Sequence, residues 1–198
     1  MSYSDFKTLK ELEKKFGVGY QINSLFSSIQ PIEPSQFLLH TLSIAKLLPS
    51  TFSEKSRSEN LITPILFEVF EQSQQTITVF SGCTLVINNE LTGICDYVIS
   101  KKRRLLTLDA PIVCIVEAKQ RSIDEGLAQA GAELIAATLF NQQEQYDIDI
   151  VYGAVTNGIE WKFLSLQHNI LRIDDEFYFS TGDNLKILLG IFQIILTS

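Results

Sequence analysis

The chain has 198 residues, 45% of them hydrophobic, a net charge of −7 and an isoelectric point near 4.9. That is enough apolar material for one domain with a real core, and no global basic field draws it to nucleic acid or anionic lipid. Cys83, Cys95 and Cys114 lie far apart in apolar runs; with two histidines and no CxxC pair they read as reduced core thiols of a cytoplasmic protein, not a structural zinc site.

The opening, MSYSDFKTLKELEKK, is too charged for a signal peptide, and the apolar C-terminal stretch LKILLGIFQIILTS is short for a membrane span. A soluble protein with no membrane partner is expected. Residues 4–16 carry Phe6, Leu9, Leu12 and Phe16 at helical spacing until Gly17 and Gly19 stop the pattern. A Ser- and Pro-bearing stretch follows, then a helix from about Ser35 to Leu48, with Pro49 as its stop. The polar segment STFSEKSRSE reads as a linker, and a third helix covers roughly Ser58 to Gln72.

Beyond this point the pattern turns to strands: TITVFSGCTLVI, LTGICDYVIS and PIVCIVEA. Ser122 and Glu125 make a capping box for a long alanine-rich helix. Two strands then flank the Asn157-Gly158 hairpin turn, and a strand-like LRIDDEFYFS precedes an apolar last helix. A helix between the third and fourth strands demands a crossover, hence an α/β (α+β) mixed sheet of about five strands flanked by helices. One domain is expected: a helical extension over 1–50, a core over 56–165, and a C-terminal strand and helix over 166–198.

Four acid-x-Lys triplets occur: Asp5-Phe6-Lys7, Glu13-Lys14-Lys15, Glu117-Ala118-Lys119 and Glu160-Trp161-Lys162. The first two fall on the wet face of the N-terminal helix. Glu160 and Lys162 follow a hairpin turn with no helix behind them, and read as a solvated strand face. Glu117 and Lys119 end an apolar strand and share a face with Val113 and Ile115, because strand side chains alternate. If this strand pairs antiparallel with the preceding one about a turn near residues 106 and 107, Asp96 lies beside Glu117. Cys95 and Cys114 then alternate away from the acids. Two carboxylates converging in a partly apolar site repel, and a hard divalent cation with oxygen ligands relieves the repulsion; Mg²⁺ is the default.

These residues resemble the PD-(D/E)xK nuclease superfamily, the restriction-endonuclease-like fold. Asp96 in GICDYVIS matches its aspartate, with Cys95 where a proline is usual, and Glu117 and Lys119 match its Glu-x-Lys half. The resemblance spans about residues 56–165. It implies phosphodiester hydrolysis, most readily of DNA, with Asp96 and Glu117 holding Mg²⁺ (or Mn²⁺) and Lys119 serving the attacking water. It also makes Glu59, placed on the stripe of Ile62, Leu66 and Val69 with Glu68 opposite, a candidate from the helix before the first strand. Gln129 matches a glutamine on the helix after Glu-x-Lys, although it falls off the leucine stripe. The alternative is a catalytically idle binding or assembly module, which the acidic balance favours.

Lys101, Lys102, Arg103 and Arg104 form a basic run at the hairpin tip, roughly 15 Å from Asp96 at ~3.3 Å per residue, and read as a solubilising loop or a remote phosphate contact. His40 and His168 have no partners at useful spacing. The last helix is apolar almost all round and must be covered on more than one side. The helices around Phe6, Leu9 and Leu12 are one cover; a homodimer through the helix is the other.

Overall fold

A computed structural model describes residues 2–49, 53–120 and 122–198. After a 3₁₀ turn at Tyr3–Asp5, helix α1 (Leu9–Phe16) starts where Glu11 accepts from the backbone amides of Lys7 and Thr8, and ends at Gly17, which takes the left-handed φ of 68°. Strand β1 (Gly19–Ile22) and helix α2 (Gln36–Ala45) follow. Helix α3 (Glu54–Arg57), a π-helical turn (Ser58–Ile62) and helix α4 (Thr63–Gln72) form one helical run. Then come β2 (Thr78–Val86), β3 (Thr92–Ser100), β4 (Ile112–Ala118), α5 (Asp124–Gln143), β5 (Val151–Thr156), β6 (Glu160–Gln167), β7 (Ile170–Ile173), β8 (Tyr178–Phe179) and α6 (Asn184–Thr197).

All strands join one mixed sheet in the order β1-β7-β6-β5-β4-β3-β2, with β8 on β6. Among the described residues eight strands form where about five are expected. The additions come from the two ends: β1 lies in the stretch read as a helical extension and pairs parallel with β7. A four-residue strand carries too little alternation to be seen in isolation. The crossover is as expected, since β4 and β5 are parallel and α5 connects them. One face of the sheet packs on α1 and α5 through Leu12, Ile115, Leu134 and Leu164. The other packs on α2, α4 and α6 through Leu38, Leu66, Val116, Phe163 and Phe192.

Several local expectations change. The polar segment at 50–59 is not a linker throughout: from Glu54 it is helical, and residues 50–52 lie outside the described ones. Asp124, not the residue after Ser122, opens α5; Ile123 takes the cap position and no side chain caps it, so the capping box does not form. The π turn precedes Pro64, which has no N–H to return to the carbonyl four residues back. This widened turn rotates everything before it relative to an ideal helical wheel. Glu59 is therefore exposed and pairs with Lys55 at 3.8 Å, whereas Glu68, assigned to the outer face, is buried. Its carboxylate accepts from Ser35 N at 2.9 Å and from the Ser35 hydroxyl, while Ser35 Oγ accepts from Leu38 N. A buried acid thus braces the start of α2.

Helix α6 is buried along Leu185, Leu188, Leu189, Ile191, Phe192 and Ile195. Its cover is α4 and the stretch through Phe26 and Ile29; Phe6, Leu9 and Leu12 pack on the opposite face of the sheet. Most of the apolar surface that motivated a homodimer through this helix is packed within the chain, with Ile187 and Ile194 partly exposed. Among the described residues no helix is long and apolar enough to cross a membrane. At Gly190 an added Cβ would collide with the carbonyl of Gln30 and lie 2.9 Å from Ile29 Cγ2. Gly190→Ala is expected to lower the unfolding free energy by about 1–3 kcal/mol through overpacking, read as a shift in the urea midpoint at unchanged slope.

Candidate functional site

The antiparallel register of β3 and β4 runs Tyr97↔Val116, Val98↔Ile115 and Ile99↔Cys114. Asp96 and Glu117 are the residues next along from the pair Tyr97↔Val116. Parallel pairing with β5 and antiparallel pairing of β5 with β6 continue the row through Val155 to Lys162. The polar end of β4 is therefore a line of side chains across four strands.

Alternation in β3 slips at Asp96. Cys95 and Val98, three residues apart, both join the core on the α5 side, while Tyr97 and Ile99 join the other. On the neighbouring strand Gly82 sits between the pairs Ser81↔Tyr97 and Cys83↔Cys95 with φ of 63°, a conformation suited to glycine. The distortion turns the Asp96 carboxylate along the sheet, where Oδ2 accepts from Ala118 N at 2.8 Å. It also corrects the placement of Cys95, which lies beside the acids: burial and then the charges of Glu133 and Glu117 drive its thiol pKa upward. Cys114 is core, as expected.

Glu117 is 2% exposed, and one of its oxygens accepts from the Lys119 ammonium. The Lys119 stem lies against Gly126, where a Cβ would stand 3.1 Å from two of its carbons. Lys119 Nζ also donates to Gln129 Oε1 at 3.1 Å, and Gln129 Nε2 donates to Glu133 Oε1 at 3.0 Å. Glu133 is fully buried. The second oxygens of Glu117 and Glu133 are buried with no donor on them among the described residues, and the two carboxyl groups lie within hydrogen-bond reach of each other.

The electrostatics follow from this enclosure. Burial, then repulsion from Asp96, raises the Glu117 pKa from 4.5 to about 7 despite Lys119. Burial and the neighbouring Glu117 push Glu133 well above the carboxylate range. Burial works against the charge on Lys119, but Glu117 outweighs it and its pKa stands above the ordinary value.

The structure thus brings together Asp96, Glu117, Lys119 and Gln129. Gln129 reaches the cluster although it is off the leucine stripe, because the inward surface of α5 is lined by alanine and glycine as well. Glu59 pairs with Lys55 and lines a cleft of about 300 Å³ with Glu54, Lys55, Thr63, Asp96 and Tyr97. Two residues were missed. Glu133 could have been found from its i, i+4 spacing to Gln129 in a helix otherwise rich in alanine. Lys162, read as a solvated face, is 8% exposed: its Nζ lies 4.1 Å from the Phe177 ring and donates to Asp175 O. At ~4.8 Å per strand it stands about 10 Å from Glu117. The basic run stays apart from the cluster, with Lys102 paired to Asp109 at 2.6 Å and Lys101 donating to Ser198 O. His168 lies by Asp149 on the surface.

Oxygen donors and unsatisfied buried carboxylate oxygens suit a hard divalent cation. Among the described residues no group of three His, Cys, Asp or Glu side chains is arranged to hold a metal ion. No protein-family model and no curated protein matches the chain.

The raised Glu117 pKa has a thermodynamic consequence. Between pH 4.5 and 7 the folded protein holds a proton at Glu117 that the unfolded chain has released, so stability falls as pH rises through this window. In metal-free buffer the melting temperature is expected to decline across this range, and Glu117→Gln should flatten that decline.

Proposed function

We propose that the chain is a metal-dependent phosphodiester hydrolase of the PD-(D/E)xK kind, acting on DNA. The observation that carries this reading is the meeting of Asp96, Glu117 and Lys119 at one end of β4, under a crossover helix that contributes Gln129. Asp96 and Glu117 would hold Mg²⁺ or Mn²⁺, which when bound supplies a Lewis acid and lowers the pKa of its water.

The chain's own residues supply the rest. Asp96 is oriented by the Ala118 amide, which holds its carboxylate from the backbone. Lys119 provides a positive charge held by Glu117 and Gln129, suited to orient an attacking water or to offset charge building on phosphate oxygens. The cleft beside Asp96, walled by Glu54, Glu59 and the Tyr97 edge, is the approach for substrate. Free cysteines suit a reducing compartment, and we place the protein in the cytoplasm.

A catalytically idle binding or assembly module is the second reading. The balance of charge on the cleft favours it, because Glu54, Glu59 and Asp96 outnumber Lys55 there and repel a polyanion.

Two measurements decide between them. Mg²⁺ or Mn²⁺ is expected to raise the melting temperature by mass action, and Asp96→Asn should remove the response while leaving the fold intact. With Mn²⁺ at low ionic strength the protein is expected to nick or cut DNA, and Lys119→Ala should reduce cutting by about 10²- to 10³-fold while sparing metal binding. Bound metal with no cutting of single-stranded, double-stranded or branched DNA, or of RNA, leaves the idle module as the account.

A further inference from the structure

Glu133 has no role in the reading above, and its position is costly. It is a fully buried carboxylate on an alanine-lined helix, with one oxygen held by a single amide and the other unsatisfied. Buried acids of this kind destabilise a fold unless paired and hydrogen-bonded. The charged groups beside it, Glu117 and Asp96, are themselves acids, and Glu117 also lies within hydrogen-bond reach of it. A leucine would fill the same site without the penalty.

What Glu133 does hold is Gln129. An amide has one oxygen and one NH₂ group, and the two are easily exchanged by a flip of the side chain. With its NH₂ donating to Glu133 Oε1, the Gln129 oxygen has to face the other way, toward Lys119 Nζ 3.1 Å off. The ammonium is thereby gripped from two sides, by Glu117 on the strand and Gln129 on the helix.

We propose that Glu133 is a positioning residue that acts through Gln129 to fix the Lys119 ammonium at the end of β4. The acceptor-donor order Glu133, Gln129, Lys119, Glu117 is a directed chain, and removal of its buried terminus leaves the amide held only at its Lys119 end, free to swing and release the ammonium. A partner that orients a working group in this way typically contributes about 10- to 100-fold to activity. The role in catalysis rests on the nuclease reading; the control of Lys119 does not.

The full-length chain labelled with ¹³C at lysine ε carbons reports on Lys119, whose signal is identified by its loss in Lys119→Arg. In the wild type a held amine is expected to give two unequal ε-proton shifts. Gln129→Leu and Glu133→Leu should collapse these to the averaged shift of exposed lysines. Glu133→Gln, whose amide oxygen can still accept from Gln129, should retain the splitting. Glu133→Leu is expected to melt no lower than the wild type, which separates positioning from a structural role. If it does not fold, Glu133→Ala takes its place. An unchanged Lys119 signal in the Glu133 variant overturns the proposal. In parallel, Mn²⁺-dependent DNA cleavage should fall about 10- to 100-fold in kcat with KM for DNA unchanged. Collapse of the Lys119 signal with no cleavage even by the wild type leaves the positioning role standing and sinks the nuclease reading instead.

Discussion

Strand β4 is buried along all seven of its residues, and its two ladders govern where every polar group of the cluster falls. On one side it runs antiparallel to β3, which brings Asp96 beside the Glu117 end of the strand. On the other it runs parallel to β5, and a parallel neighbour requires the long return path that α5 provides. The helix therefore begins near the end of the strand, and its residues at positions 126, 129 and 133 lie over Lys119 and Glu117. A slip of one residue in the β3–β4 ladder would turn Asp96 to the opposite face and dissolve the cluster.

Burial at that junction makes the cluster chemically unusual. Two acids from β4 and α5 sit where water cannot reach them, with Asp96 near enough to add its charge. Burial and then the charge of Asp96 outweigh the Lys119 ammonium, and the Glu117 pKa is raised to about 7. Such enclosure strengthens whatever electrostatic contact forms there and penalises every group left unmatched. The unsatisfied oxygens of Glu117 and Glu133 mark where that penalty is carried. The surrounding fold offsets it with two extensive cores on either face of the sheet, one built around α5 and the other around α6.

Period-2 alternation and the symmetry of a hairpin are local properties of residues 91–118, so the partnership of Asp96 with Glu117 was legible before any coordinates. The same holds for the crossover helix, the Asn157-Gly158 turn and the left-handed stop at Gly17. Alternation also assigned Cys95 to the far face, and there it failed: Gly82 on the partner strand shifts the pleat, and a glycine conformation on one strand leaves no mark in the sequence of the next. The helical wheel through residues 58–72 failed for a related reason. It assumes 3.6 residues per turn, and the π turn before Pro64 breaks that count and exposes Glu59, whereas Glu68 beyond it is buried because the start of α2 packs on its carboxylate.

The amino-acid sequence by itself determined the element types in the middle of the chain and set Glu117 and Lys119 at the end of an apolar strand, because periodicity along one strand is short-range; the facing of Asp96 was decided by the distortion opposite Gly82. Tertiary structure alone decided the full breadth of the sheet, since β1 and β7 pair across some 150 residues of intervening chain. It decided the cover of α6 in the same way: Gly190 has meaning only against the carbonyl of Gln30. It also decided that Glu133 and Lys162, each unremarked among its sequence neighbours, would be buried near the cluster. The burial of a charged side chain depends on what packs over it, and the packing elements here come from distant parts of the chain.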